Sequence, residues 1–281
     1  MRSQVCGILK NSIAHLQLLY IVEFKVMEVV LIRVSLKKGL WFYAILLALL
    51  SSVATAEEDS AFTRQATAKE KAEGIKLAKS IVDEMGGMKA YNDIKVLSFD
   101  FVVTAPDGKV MMERKHYWDK HAGISHVVGK KGDAKLKAII KLNEKTGDFW
   151  LDGKAVTDDK TKKELFGLAF SWWTNDSFWL VSPYKFFDQG VNLAAIDGQL
   201  RTTFEGVGLT PGDAYLYQLN DKNKIKGWKF KLQSNNLGDF QFNKLVKQLD
   251  AQFFQEKVSE RFSISHGDIQ ASKSEKPELF K

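Results

Sequence analysis

Two hydrophobic rhythms alternate along this chain, and together they predict its fold class. From Ala68 to Met85 the apolar residues Ala72, Ile75, Leu77, Ala78, Ile81 and Val82 recur three and four apart between lysines and glutamates, which predicts an amphipathic helix. Gly86-Gly87 follows the last apolar turn, where a left-handed cap is expected, and Met88 to Asn92 reads as a short second turn. From Lys95 the period becomes two. Leu97, Phe99, Phe101 and Val103 alternate with Val96, Ser98, Asp100 and Val102, and Pro106-Asp107-Gly108 turns the chain into a partner strand ending near Lys120. Leu136, Ala138, Ile140 and Leu142 then alternate with Lys135, Lys137 and Lys141, with Ile139 the exception. Thr146-Gly147-Asp148 reads as a turn, Phe149 to Leu151 as a short strand and Asp152-Gly153 as the next turn.

Helical spacing returns from Lys160 to Trp173, with Leu165, Leu168, Ala169, Trp172 and Trp173 near one side. A second short helix is expected after it, capped by Asn175-Asp176 and stopped at Ser182-Pro183. Strands resume at Val191 to Ala195 and Gln199 to Val207 around Asp197-Gly198, and at Ala214 to Leu219 and Ile225 to Leu232 around Asp221 to Lys224. Phe240 to Phe242, Leu245 to Phe254 and Glu260 to Ile264 close the series. This order predicts an α+β fold: a single curved antiparallel sheet, an N-terminal helix, and a helical insertion covering the sheet's concave face.

The N-terminal pattern changes the picture by placing the protein outside the cytoplasm. Lys37-Lys38 precedes an unbroken apolar run, Leu40 to Leu50, and then Ala54-Thr55-Ala56 and an acidic stretch. That is the layout of a cleavable secretory signal over residues 37–56. The run would rise only about 16 Å as a helix, too short for a hydrocarbon core of about 30 Å. Residues 1–36 read as a leader that a later start would shorten, at Met27 or at an alternative start codon. Residues 57–67 read as a linker, 68–270 as the folded domain and 271–281 as a polar tail. The expected location is periplasmic, or secreted, after cleavage near Ala56. The sole cysteine, Cys6, falls in the leader, so the mature chain has neither disulfide nor thiolate. Cleavage also lowers the net charge from +7, leaving 35 basic and 32 acidic side chains, too mild a balance for a nucleic-acid binder.

Catalytic motifs with a fixed spacing are missing, whether a nucleophile elbow, a phosphate loop or a zinc-protease pair. His116, His121 and His126 with Asp119 come nearest to a metal set. On a strand His121 points opposite to the other two, so surface histidines are the expected reading, with no metal and no cofactor. Arg114, His116 and Trp118 share one strand parity. If that parity faces the interior, the arginine needs a carboxylate or an anionic ligand; if it faces solvent, it needs neither. Asp176, Asp188 and Glu205 are candidate acid–base groups that nothing in the sequence pairs, so an enzyme is not expected.

Aromatic residues make up 12% of the chain and cluster at Trp172-Trp173, Phe178-Trp179 and Phe186-Phe187. They are either the core beneath one helix layer, or a lid over an apolar cavity. In the second case Phe99, Phe101, Trp118, Trp172, Trp173, Phe178 and Trp179 line the cavity, and Arg114 and His116 contact an anionic group.

The helix ending at Gly86-Gly87, Asn175-Asp176-Ser177-Phe178-Trp179-Leu180 with Pro183, Asp188-Gln189-Gly190-Val191, and Gly206-Val207-Gly208-Leu209-Thr210-Pro211-Gly212-Asp213 resemble segments of uncharacterised secreted bacterial proteins. Those are similar in turn to the outer-membrane lipoprotein carrier (LolA/LolB-like) superfamily. The resemblance spans about Ala68 to Ile264. It implies an unclosed β-barrel of about eleven strands over a hydrophobic cavity, monomeric, holding a lipid, an acyl chain or a lipoprotein. An envelope sensor or interaction module that meets a membrane protein, without a cavity, is the competing expectation; a secreted hydrolase is the third.

Overall fold

The computed structural model describes residues 60–281, so the expected leader and secretory signal lie outside the described residues. Helix α1 (Ala68–Glu84) leads into the short α2 (Gly87–Asn92). Six strands follow: β1 (Val96–Thr104), β2 (Val110–Asp119), β3 (Ile124–Lys131), β4 (Ala134–Lys141), β5 (Thr146–Leu151) and β6 (Lys154–Ala155). Then come helix α3 (Asp159–Val181) and a 3₁₀ turn (Ser182–Lys185). The chain ends with β7 (Val191–Ile196), β8 (Gln199–Phe204), β9 (Ala214–Leu219), β10 (Ile225–Lys231), β11 (Leu237–Gln248), β12 (Ala251–Val258), β13 (Ser263–Ser265) and β14 (Gln270–Ser272).

All these strands join one antiparallel sheet, in the order β6-β5-β4-β3-β2-β1-β13-β12-β11-β10-β9-β8-β7, with β14 also on β1; it does not close. The fold is therefore α+β with a single large open sheet, of fourteen strands rather than about eleven. The first half of the chain walks outward from β1. The second half returns from the far edge, and β13 seats its end beside β1 over Val102–Thr104.

Local chemistry starts each helix. At α1, Thr67 and Glu70 form a reciprocal capping box, and Arg64 holds the Glu70 carboxylate at 2.6 Å. The side-chain hydrogen bond from Arg64, with those from Thr67, pulls the Glu70 carboxyl down to about 2. Asp158 caps α3 by accepting from the Thr161 amide. The helix then runs unbroken through the point where a second helix was expected. Asp176 caps nothing; it is buried mid-helix.

Three other expectations shift for physical reasons. The turn expected at Thr146–Asp148 lies earlier, where Lys145 takes a positive φ, and Thr146–Asp148 pairs with β4. The strand expected over Leu245–Phe254 is two strands, folded at Leu249 (φ 56°) and Asp250. The face of α1 centres on Gly74, Ala78, Ile81 and Val82, which leaves Ala72 and Ile75 exposed. Residues 60–67 and 271–281 do not trail loose: Ala61 and Phe62 pack with Ala194, Ile196 and Leu216, and His126 Nδ1 donates to the Leu279 carbonyl at 2.6 Å.

The main core lies between the helices and one face of the sheet. Trp228, Phe240, Phe253, Leu97 and Phe99 come from the strands; Ile81, Leu180 and Tyr184 come from the helical side. Tyr184 stacks on Tyr91 with ring centres 4.4 Å apart, and its hydroxyl donates to the Met85 carbonyl at 2.5 Å, tying the 3₁₀ turn to the end of α1. A second cluster beneath the start of α3 joins Leu165, Ala169 and Trp172 to Val127, Leu136, Ala138 and Ile140.

Helix α1 reaches edge strand β7 through Gly74, where a Cβ would fall 2.6 Å from the Ala194 Cα. We expect Gly74→Ala to lower stability by about 1–3 kcal/mol in urea titrations, because backbone must move apart. Gly167→Ala, with open space at the same atom in α3, should raise it by about 0.5–1 kcal/mol.

Candidate functional site

Where α3 crosses the middle of the sheet, five ionisable side chains are buried together. Strand parity puts Arg114 and His116 on the same face of β2, and the register with β1 sets them beside Phe101 and Phe99. On α3, Trp172 and Asp176 are four residues apart and so share the face turned toward them. Gly129 of β3 makes the room: a Cβ there would stand 3.0 Å from the Arg114 side chain and 3.1 Å from the Trp172 ring.

Arg114 Nη1 donates to both Asp176 oxygens at 2.8 Å, and its guanidinium lies 4.5 Å from the Trp172 ring centre. His116 Nε2 donates to Asp176 Oδ2 at 2.8 Å, since a carboxylate only accepts. Asn175 Nδ2 donates to the other oxygen at 2.9 Å. His266 Nε2 donates to the Asp176 backbone carbonyl at 3.1 Å; that leaves its Nδ1 to accept from Lys257 Nζ at 3.4 Å, which also donates to the Phe254 carbonyl. The rings of Phe99 and Phe101 enclose the set: Phe99 stacks on His116 at 4.9 Å, and both approach His266 at 5.5–5.6 Å.

Burial works against the charge on Asp176, but the attraction of Arg114 and the His116 hydrogen bond outweigh it and hold the carboxyl below its usual range. Burial pushes Lys257 well below its ordinary value, and burial with the neighbouring Lys257 charge does the same to His266. Asp176, His116, Lys257 and His266 are all 0% exposed and Arg114 is 4% exposed. The arrangement is sealed: it fastens α3 to β2 and offers no open face to a substrate.

The expected site residues are brought together unevenly. Phe99, Phe101, Trp118 and Trp179 lie in the main core, Trp172 lies in the second cluster, and Trp173 and Phe178 are partly buried against the main core. They touch rings rather than standing apart: Trp118 meets Trp173 at 5.4 Å, Phe178 meets Tyr215 at 5.3 Å, and Trp179 meets Trp228 and Phe240 at 4.7 and 4.9 Å. Arg114 and His116 do face inward, as one of the two parity readings required, and the carboxylate that meets them is Asp176. His121 is exposed and His126 bonds the C-terminal turn, so the three histidines do not converge. Asp188 pairs with Lys185, and Glu205 is exposed. Lys257 and His266 had no sequence signal, because they sit among polar residues of strand-end segments; Trp228 and Phe230 could have been found from their shared parity in β10.

Asp176→Asn should cost about 3–5 kcal/mol in urea unfolding, since it removes the buried carboxylate on which Arg114 and His116 converge. The paired change Arg114→Met with Asp176→Leu should recover most of that loss. Because Lys257, His266 and Asp176 all have lowered pKa values in the folded state, the unfolded chain binds more protons than the folded one below each group's ordinary value. Stability therefore falls as pH drops below about 10.4 for Lys257, below about 6.5 for His266, and further below about 4 for Asp176. His266→Phe, followed by denaturation between pH 7 and 5, should flatten the His266 limb by up to about 1.4 kcal/mol per pH unit.

No protein-family model matches the sequence, and no curated protein matches it.

Proposed function

We propose that the protein is a non-enzymatic carrier or sensor of the bacterial envelope, exported by the signal at 37–56, that takes a lipid or an acyl chain between α3 and the sheet on the plan of the LolA/LolB-like carriers. The observation that carries this reading is the aromatic seam. Trp173, Phe178 and Trp179 of α3 meet Trp118, Tyr215, Trp228, Phe230 and Phe240 of the strands, mostly edge to face. Such a layer recognises methylenes without a polar pattern, at about 0.8 kcal/mol per buried CH₂. An empty apolar cavity costs about 24 cal/mol per Å³, so an unloaded carrier closes on its own rings and its ligand enters by displacing the helix. The fastening to be released is Asp176 on Arg114 and His116. Chemistry is disfavoured, because the ionisable groups that do converge are sealed from solvent.

An interaction module that meets an envelope membrane protein is the second reading, and the ring-to-ring packing of the seam favours it. Val110 and Met111 at the β1–β2 end, with Leu245 and Leu249 near the β11–β12 turn, are its exposed apolar residues.

Native mass spectrometry of the protein purified from the periplasm, with organic extraction, separates the two. The carrier reading expects a co-purifying lipid or acylated peptide, and expects a brominated fatty acid to quench the seam tryptophans. A clean apo mass with unquenched fluorescence, in both the parent and Asp176→Asn proteins, would leave the interaction module.

A further inference from the structure

A groove of about 620 Å³ runs between α1 and the β7–β8 edge of the sheet, a volume in the range of small-molecule sites. Its α1 wall is a stripe at four-residue spacing, Lys71, Ile75 and Lys79, and its far wall includes Phe187, Leu193 and Arg201. Ile75 and Phe187 are 45% and 43% exposed, so the groove presents apolar surface to solvent. Gly74 sets its depth by letting α1 press onto Ala194.

Arg201 is the unusual member. It is 7% exposed, yet it meets no carboxylate among the described residues. Its Nη1 donates to the carbonyls of Ala61 and Arg64 at 3.1 and 2.7 Å and approaches that of Phe62 at 3.5 Å. A guanidinium has five N–H donors, so the Nε and Nη2 donors remain without an acceptor among the described residues. The nearby Arg64 is already committed to Glu70. Burial first, and then the charge of Arg64, lower the Arg201 pKa, and the Glu70 carboxylate, already paired with Arg64, offsets them only in part. Lys71 and Lys79 have no ion pair among the described residues either. Two acids border the groove: Asp188, committed to Lys185, and the exposed Glu205. Three uncommitted cations thus face one uncommitted carboxylate.

We propose that this groove binds a carboxylate amphiphile of the fatty-acid class, with its head on the free edge of Arg201 between Lys71 and Lys79 and its chain along Ile75, Phe187 and Leu193. A planar carboxylate matches the two parallel donors of a guanidinium edge, and the exposed apolar wall beside it supplies what a bare anion would not use. The site lies apart from the α3 seam and needs no helix displacement, so it stands whether or not the seam admits a ligand.

Dodecanoate titrated into the purified protein, followed by amide chemical shifts, tests this against dodecanol and inorganic phosphate. Shifts should concentrate at Leu193 and Thr203, with dodecanol and phosphate each binding more weakly. Lys71→Glu with Lys79→Glu, both on the exposed helix face, should weaken dodecanoate roughly tenfold and leave dodecanol unchanged. Arg201→Lys, which keeps a cation but loses the fork, should also weaken it. No tryptophan lines the groove, so bromododecanoate bound there leaves tryptophan emission unquenched. Unchanged affinity in the double variant, phosphate binding as tight as dodecanoate, or no binding at all would overturn the proposal. Shifts and quenching centred on Trp179 would overturn it too, while supporting uptake at the seam.

Discussion

A charge taken out of water into a protein interior loses several kcal/mol of solvation, and only a partner in good geometry returns it. Arg114 and Asp176 meet that condition across the seam between α3 and β2, and the rest of the helix is placed by it. Asp176 has to face Arg114 and His116, so the rotation of α3 about its axis is fixed. Trp172, one turn earlier, then falls on the guanidinium, and Trp179, about one turn later, falls on Trp228 and Phe240. Dispersion and hydrophobic burial drive α3 onto the sheet without choosing an angle. The ion pair is directional, and it chooses.

The same seam accounts for the buried lysine and histidine behind it. Lys257 and His266 are carried by β12 and by the segment after β13, which close the sheet's central junction beside β1. Their donors run inward to the Phe254 and Asp176 carbonyls, so Lys257, His266 and Asp176 are joined in sequence, while His116 Nδ1 is left without a hydrogen-bond partner among the described residues. This couples the fit of α3 to protonation as well as to packing. An open sheet also leaves two edges to protect. One ends in the two-residue β6; the other, β7, is covered by α1 at Gly74. The covering is incomplete, and the groove at Ile75 and Phe187 is what it leaves.

Sequence periodicity reached most of the elements because alternation and turn residues are local. The hairpin through Pro106-Asp107-Gly108, the turn at Asp197-Gly198, and α1 with its Gly86 stop all follow from residues within a few positions of one another. The expectations that failed share a cause. The β11–β12 turn uses Leu249 at positive φ, a conformation that Leu rarely adopts and that no dipeptide rule announces. Asp176 has the residue type of a helix cap, and only the arginine 62 positions earlier makes it an interior anchor. Ile75 has the spacing of a buried residue but is displaced from the interface by the closer approach that Gly74 allows.

By itself, the sequence determined the α+β class, the antiparallel strands and the aromatic density of the helical insertion, because each depends on residue types and spacing that are visible within a short window. It also marked Arg114 as a residue that, if buried, needs a counter-charge. Only the tertiary structure decided which carboxylate that was, how the strands order around β1 and β13, whether the rings stand apart or touch, and where Arg201 is left without an acid. Those are outcomes of contact between segments far apart in the chain, set by register and packing, and no local pattern encodes them.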